Sequence, residues 1–406
     1  MGTLIFRWFL SKTVRQAVDM CRQVRKFVRA QRDLLEPEKI QEISKATREL
    51  KGTISAGQNL DAVRASMKNL EKVANENLLP YPSASLRENI EVFLVTGAVV
   101  LALRTFFFQP MAIPSGSAQP TLWGITSEDL RGKPDVKIPR GLDRLLQSCW
   151  SGAHYFHAVA KTDGQLRIGP TEKVGGFINR QTMWVGDEPY PFWFTPDPPD
   201  APQDQNLASR AGLRQGQMIR KGEEFIRLKV ISGDHLFVNR LTYNFRRPRR
   251  GEIIVFESTG IPGIIQNTHY IKRLIALGGE HVRIGNDRHV VIDGVRLDAS
   301  TPFFENVYSF NPKLPPRADH YSGHVNGAVG ARYDHLGLAA LFANEQIELI
   351  VRPHHYLAFG DNTMNSNDGR NWGDFPEAKV VGKASFVFWP IGARDNSPSR
   401  FGWGYR

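Results

Sequence analysis

One run of the chain constrains its fold more than any other. Residues Ile90 to Phe108 contain VFLVTGAVVLAL (Val92–Leu103), followed by Arg104, Thr105 and Phe106–Phe108. Wound as an α-helix they reach about 28 Å, enough for a bilayer's hydrocarbon core. The charged residues Glu91 and Arg104 lie near the two ends, where long side chains extend to the interface. A buried helix of a soluble domain has a similar composition. A cleavable secretory signal, however, stands at an N-terminus rather than after 89 residues. The run therefore reads as a permanent span over 90–108.

Its flanks give a direction. Lys72 and Arg87 precede the run, whereas no Lys or Arg occurs between Gln109 and Leu130. Basic residues concentrate on the cytoplasmic side of a span. Residues 1–89 are thus expected in the cytoplasm and 109–406 beyond the membrane. The Phe106–Phe108 cluster suits an interfacial aromatic belt.

A net charge of +11 fits either an anionic membrane surface or nucleic acid. Much of it falls at Arg7, Lys12, Arg15, Arg22, Arg25, Lys26, Arg29 and Arg32. Trp8, Leu10, Val14, Val18, Val24 and Val28 are interleaved, which predicts a basic amphipathic helix. Neither zinc-finger spacing nor a basic zipper accompanies it, so nucleic acid is set aside. The two cysteines, Cys21 and Cys149, exclude a disulfide framework and show no metal-ligand spacing.

Between the basic stretch and the span, residues 36–78 have helical periodicity. A turn at Gly52–Gly57 predicts a helical hairpin, and Pro80 and Pro82 separate it from the span. After the span the pattern changes to short β-prone runs: HLFVNRLTY (235–243), EIIVFES (252–258), HYIKRLIAL (269–277), HVVIDG (289–294), HYLAFG (355–360) and KASFVFWP (383–390). Turn signals such as Gly278-Gly279 separate them and predict antiparallel β structure. A stretch at about 125–229, including the Pro-rich EPYPFWFTPDPPDAP, reads as an irregular, loop-rich insertion. A smaller insertion is expected at about 300–350.

Three segments offer chemistry. IPSGSAQPTL (Ile113–Leu122) is stiffened by two prolines and unsuited to helix. HYIKR places Lys272 in an apolar strand, with Arg273 on the opposite face. GDNTMNSNDGRNWG (Gly360–Gly373) is a glycine-punctuated loop carrying Asp361, Ser366, Asp368 and Arg370. Each taken bare is ordinary. His269 faces away from Lys272, and His354 and His355 have no serine motif nearby; all three read as surface or packing residues.

The order of these segments behind a span resembles the bacterial type I signal peptidases (leader peptidases). That family shows a Pro-Ser-Gly-Ser-Met-x-Pro-Thr box, a later Tyr-Ile-Lys-Arg box and a Gly-Asp-Asn loop ending near Trp-Gly. SGDHLFVNR (232–240) and RRGEIIVF (249–256) match two supporting boxes. The resemblance implies a mainly β, antiparallel catalytic domain, signal-peptidase-like, behind one transmembrane helix and a helical cytoplasmic N-terminal region. It further implies a serine endopeptidase of the cytoplasmic membrane that removes signal peptides after a small-x-small motif. Ser117 is then the nucleophile and Lys272 the general base. The backbone N–H of Ser117 and the hydroxyl of Ser115 serve the oxyanion, and Ser366 hydrogen-bonds Lys272. Arg273 with Asp361, and Asp368 with Arg370, are supporting ion pairs. Implied partners are the signal peptides of preproteins, membrane lipids and the protein-export translocon, with no cofactor and no metal.

The roles are chemically coherent. A serine hydroxyl needs a base, and a lysine serves when an apolar setting disfavours its charged form. The sequence departs from the family at Ala118, where Met is usual, at Thr363 and Met364, where Arg and Asp are frequent, and at Gly369 in place of Ser. A self-cleaving Ser/Lys repressor peptidase and a non-catalytic export protein are the competing readings. The span before Ser117 disfavours the first, and Ala118 gives the second its standing.

Overall fold

The computed structural model describes residues 11–57, 59–79, 84–199, 205–393 and 398–403. Arg7, Trp8, Leu10, Pro80 and Pro82 lie outside them. The chain divides into two compact units, Met1–Gly97 and Ala98–Arg406.

In the first unit three helices pack together: α1 (Lys12–Ala30), α2 (Pro37–Ser55) and α3 (Leu60–Asn77). Asn59 starts α3 by accepting a hydrogen bond from the Ala62 N–H at 2.8 Å, which satisfies one of the free donors of a helix N-terminus. The apolar stripe of α1 (Val14, Ala17, Cys21 and Val24) is buried against Ile43 and Leu50 of α2 and Val63 and Leu70 of α3. Its basic residues point outward. The amphipathic pattern of α1 is therefore used inside a helical bundle. The expected turn lies later than its sequence signal: Gly52 is within α2, and Gly57, at φ +71°, follows the helix end.

Helix α4 (Ala84–Ala102) continues as a π-helical turn through Leu103–Phe107. Within it, Glu88–Phe107 is the one described stretch long and apolar enough to cross a membrane, with mean hydropathy 1.9 and none of it buried.

The second unit is mainly antiparallel β. Its strands are β1 (Phe108–Ala112), β2 (Thr126–Asp129), β3 (Ala153–Val159), β4 (Gly164–Val174), β5 (Ile178–Val185) and β6 (Glu188–Trp193). There follow β7 (Met218–Ile219), β8 (Glu224–Ile231), β9 (His235–Asn239), β10 (Ile253–Glu257), β11 (His269–Leu277) and β12 (His281–Ile284). The last are β13 (Val290–Ile292), β14 (Val295–Arg296), β15 (Glu348–Ile350), β16 (His355–Phe359), β17 (Phe375–Pro376) and β18 (Val380–Trp389). A seven-stranded sheet runs β1-β9-β18-β10-β11-β16-β17, and a four-stranded one runs β14-β13-β12-β15. The run 269–277 is one strand as expected. HLFVNRLTY is not: β9 stops at Asn239, whose side chain accepts from the Leu241 and Thr242 N–H groups and turns the chain into a short helical segment.

The largest departure from expectation is 125–229, which is regular rather than loop-like. It forms a three-stranded sheet, β2-β8-β3, a four-stranded sheet, β6-β5-β4-β7, and helix α5 (Gly141–Ser151). Phe156, Leu166, Met183, Val185, Phe225 and Leu228 supply a core of its own. The Pro-rich run that suggested a loop contains β6, an edge strand. Pro189 and Pro191 alternate there with Tyr190 and Phe192, which point into the core. N–H groups two residues apart face the same way along a strand. On the open edge of β6, losing both sacrifices no ladder bond.

Candidate active site

Ser117 is delivered by an extended segment running off β1. The Ile113 N–H bonds to the Asp234 carbonyl at 2.9 Å, and the chain then turns through a single 3₁₀ turn, Gly116–Ala118. The tightness of this segment explains Gly233 in the SGDHLFVNR box. A Cβ there would lie 1.7 Å from the Ile113 carbonyl oxygen, which no side chain tolerates. Ala118 is buried with Ile113, Leu122, Leu236 and Val238, so the position where the family carries Met is here part of the packed interior.

Lys272 lies mid-strand in β11, opposite Ile254 of β10, and only 3% of it is exposed. Its Nζ is hydrogen-bonded to Ser117 Oγ at 2.6 Å. Burial pushes the Lys272 amine down to about 8. The Asp368 charge opposes that shift and Arg370 adds to it. Ser115 is exposed, with its Oγ 3.4 Å from Ser117 Oγ.

Strand alternation sends Arg273 to the other face, where it meets Asp361 in a buried bidentate pair at 2.7 and 2.6 Å. Burial would raise the Asp361 carboxyl, but the Arg273 guanidinium outweighs it and holds the group below its ordinary range. Asp368 and Arg370 form a second buried pair, at 2.9 Å on both contacts. Asp368 also accepts the Gly360 N–H at 2.9 Å, while Arg370 donates to the Thr363 carbonyl at 2.9 Å. The two pairs thus tie the loop 360–370 to β11 and to itself.

Ser366 departs from expectation. It is buried, but among the described residues its hydroxyl has no hydrogen-bond partner, Lys272 included. Asp368 and Asn362 pin the loop from either side and set Ser366 against Gly360. A Cβ on Gly360 would stand 2.2 Å from Ser366 Oγ and 2.4 Å from the Ser117 carbonyl oxygen.

Two contributors were not assigned roles from the sequence. Asn362 accounts for the register between the loop and the Ser117 turn: its side chain donates to the Gly116 carbonyl at 2.8 Å and its N–H to the Ser117 carbonyl at 3.1 Å. Thr121 donates to Asp361 and contacts the Tyr321 hydroxyl at 2.9 Å. Both stand inside the boxes already quoted, in Gly-Asp-Asn and Pro-Thr, and that was the available signal. His324 is fully buried, and burial pushes its imidazole down to about 3 while Nδ1 contacts the Tyr308 hydroxyl at 3.0 Å. Among the described residues no group of three His, Cys, Asp or Glu side chains converges as a metal site would.

The family described as "Signal peptidase, peptidase S26" matches residues 227–389, a range that holds Lys272 and the loop 360–370 and begins after Ser117. A probable signal peptidase I-2 of Synechocystis sp. is 29% identical over 160 residues, covering 39% of this chain and 56% of that protein. Signal peptidase I of Leptolyngbya laminosa is 30% identical over 163 residues, covering 39% and 61%. A solved signal peptidase I from Enterococcus faecalis V583 is 25% identical over 34% of this chain and 98% of that one, with a TM-score of 0.22. The chain thus spans less than two thirds of the length of these two curated relatives. Residues 227–389 thus match the signal peptidase family, peptidase S26, and the relatives that the chain resembles are bacterial signal peptidases I.

Proposed function

We propose that this chain is a membrane-anchored serine endopeptidase that removes N-terminal signal peptides from exported preproteins, using Ser117 and Lys272. The observation that carries the reading is the 2.6 Å approach of Lys272 Nζ to Ser117 Oγ, with the amine held near a pKa of about 8 by burial. In its neutral form Lys272 accepts the Ser117 proton as Oγ attacks the scissile carbonyl. The backbone N–H of Ser117 and the exposed hydroxyl of Ser115 donate to the oxyanion. The Lys272 ammonium then protonates the leaving nitrogen, the C–N bond breaks, and the mature protein departs. Water, deprotonated by Lys272, hydrolyses the acyl ester, which releases the signal peptide as a carboxylate and restores Ser117.

Substrate access follows from β1. It is an edge strand paired with β9, and it leads directly to Ser115, with Ala112 and Pro114 exposed. An extended substrate segment adds to such an edge through main-chain hydrogen bonds. Small residues at the first and third positions before the cut suit a strand lying this close to the nucleophile. On this reading the helix Glu88–Phe107 is a single membrane crossing with its N-terminal side in the cytoplasm. The catalytic unit then works outside, on precursors emerging from the export translocon.

The test is cleavage of a secretory precursor by the full chain in membranes, followed by N-terminal sequencing of the product. The reading requires one cut after a small-x-small sequence, abolished when the first position is changed from Ala to Leu. Equal cutting of both precursors would refute it.

A further inference from the structure

Helix α5 is built inside out. Its sequence GLDRLLQSCWS places Leu142, Leu145, Leu146, Cys149 and Trp150 on one face, at the i, i+3, i+4, i+7, i+8 spacing of an amphipathic helix. In a soluble domain that face packs inward. Here it faces out: Leu142 is 68% exposed, Leu145 59%, Leu146 56% and Trp150 60%.

The helix is held from its polar side and its C-terminal end. Arg144 donates to the Tyr155 carbonyl of β3, and the Tyr155 hydroxyl donates to the Gln147 side chain at 2.9 Å. The Trp389 indole N–H donates to the Cys149 carbonyl at 2.8 Å, and the Ile391 and Gly392 N–H groups both donate to the Trp150 carbonyl, at 3.0 and 2.8 Å. Gly152, left-handed at φ +68°, closes the helix against Trp389, where a Cβ would come within 2.9 Å of the ring. These contacts fix the orientation, so the apolar face is presented outward by design of the surrounding chain rather than by fraying.

What covers that face is indicated by what surrounds it. The strand that anchors α5, β18, pairs with β9, and β9 pairs with β1, which is the direct continuation of the apolar helix Glu88–Phe107. Ile391, bonded to the helix end, is exposed as well, and so are Phe401 and Trp403, which pack against Phe386 of the same strand β18. Just before α5 stand the exposed basic residues Lys137 and Arg140. An outward apolar stripe with a basic flank, on a sheet continuous with a membrane helix, has the composition of a helix lying in a lipid interface.

We infer that α5 is a second membrane contact of this chain: a monotopic helix that lies in the headgroup region of an anionic bilayer with Leu142, Leu145, Leu146, Cys149 and Trp150 immersed. The inference rests on the membrane-spanning reading of Glu88–Phe107. It goes beyond it, because α5 belongs to residues 125–229, which lie almost wholly before the family match. Its role is to hold the β unit down on the surface at a point remote in sequence from the span.

The native thiol supplies the probe. Cys149 is exposed on the apolar face, and the only other cysteine, Cys21, is buried. The full chain carrying Cys21→Ala is spin-labelled at Cys149 and reconstituted in vesicles of phosphatidylglycerol and phosphatidylethanolamine. Collision with oxygen, which concentrates in lipid, is compared with collision with a water-soluble nickel chelate. Immersion predicts that oxygen wins severalfold at Cys149. The chelate should win at a label placed by Gln147→Cys on the polar face, in a Cys21→Ala, Cys149→Ser chain. If the chelate wins at Cys149 as well, the helix is in water and the inference fails. If neither reagent reaches Cys149, protein covers the face and the lipid assignment fails. A control label at Leu94→Cys in the span, again with Cys21→Ala and Cys149→Ser, separates the two levels. Oxygen winning there while the chelate wins at Cys149 overturns α5 alone. The chelate winning at Leu94→Cys overturns the span and α5 with it.

Discussion

Arg273 and Asp361 meet through two short contacts, 2.7 and 2.6 Å, on the face of β11 opposite to the one that carries Lys272. The pair ties the strand bearing the proposed base to the loop beneath the proposed nucleophile. Both members are almost wholly buried. Arg273→Ala would leave a carboxylate without its partner in a dry interior. A loss of about 3–5 kcal/mol in unfolding free energy is expected, read as a lower urea midpoint. An unchanged midpoint would show that the pair contributes nothing to the fold.

The pH dependence follows from Lys272. Its folded-state pKa is about 8 against an ordinary 10.5, with burial as the first cause. Cleavage should therefore rise with pH along a limb centred near 8. The same depression costs stability, because the unfolded chain binds a proton that the folded one resists. The penalty is full below about 8, fades as pH climbs towards 10.5, and is gone above it. Replacing the amine by an apolar side chain, Lys272→Met, should abolish cleavage and stabilise the fold at neutral pH by as much as about 3 kcal/mol. Thermal unfolding at pH 7 and pH 10 measures this, and the gain should shrink at the higher pH.

Asp368 raises the Lys272 pKa by its charge while holding Arg370 in place. Asp368→Asn should therefore move the acid limb of the rate profile to lower pH. Stripping Arg370 of its partner should also weaken the fold by about 3–5 kcal/mol. A limb that stays in place while stability falls would mean that Asp368 acts on the scaffold alone.

The parts of the site legible in the sequence were those fixed by short-range pattern. Lys272 and Arg273 sit on adjacent residues of one strand, so their opposite faces follow from alternation, and the structure places them so. The prolines around Ser115–Ser117 foretold an extended, turning segment. What escaped depends on tertiary position. Ser366 was expected on Lys272, but Asp368 and Asn362 fix the loop so that its hydroxyl finds no partner among the described residues. Prolines at 189 and 191 read as a loop signal because a sequence does not say that β6 lies at a sheet edge. The face of α5 was equally hidden: its periodicity marks an apolar stripe, and only the contacts of Arg144 and Gln147 show that the stripe points outward.

Ser115 offers a graded test of the oxyanion assignment. Its side chain is exposed and its Oγ lies 3.4 Å from Ser117 Oγ. Ser115→Ala should lower kcat by about a hundredfold and leave KM nearly unchanged, since the hydroxyl acts on charge that develops only in the transition state. A change confined to KM would reassign Ser115 to substrate binding.

The most direct measurement is the rate of precursor cleavage by Ser117→Ala, by Lys272→Ala and by the chain carrying both, in the same membranes and at matched protein levels. Two groups that act as one unit lose nearly everything when either is removed, and the second removal costs little more. The account predicts that each single variant falls to a trace of wild-type cleavage and that the double variant is no slower. Near wild-type cleavage by either single variant would contradict the assignment of Ser117 and Lys272 as nucleophile and base.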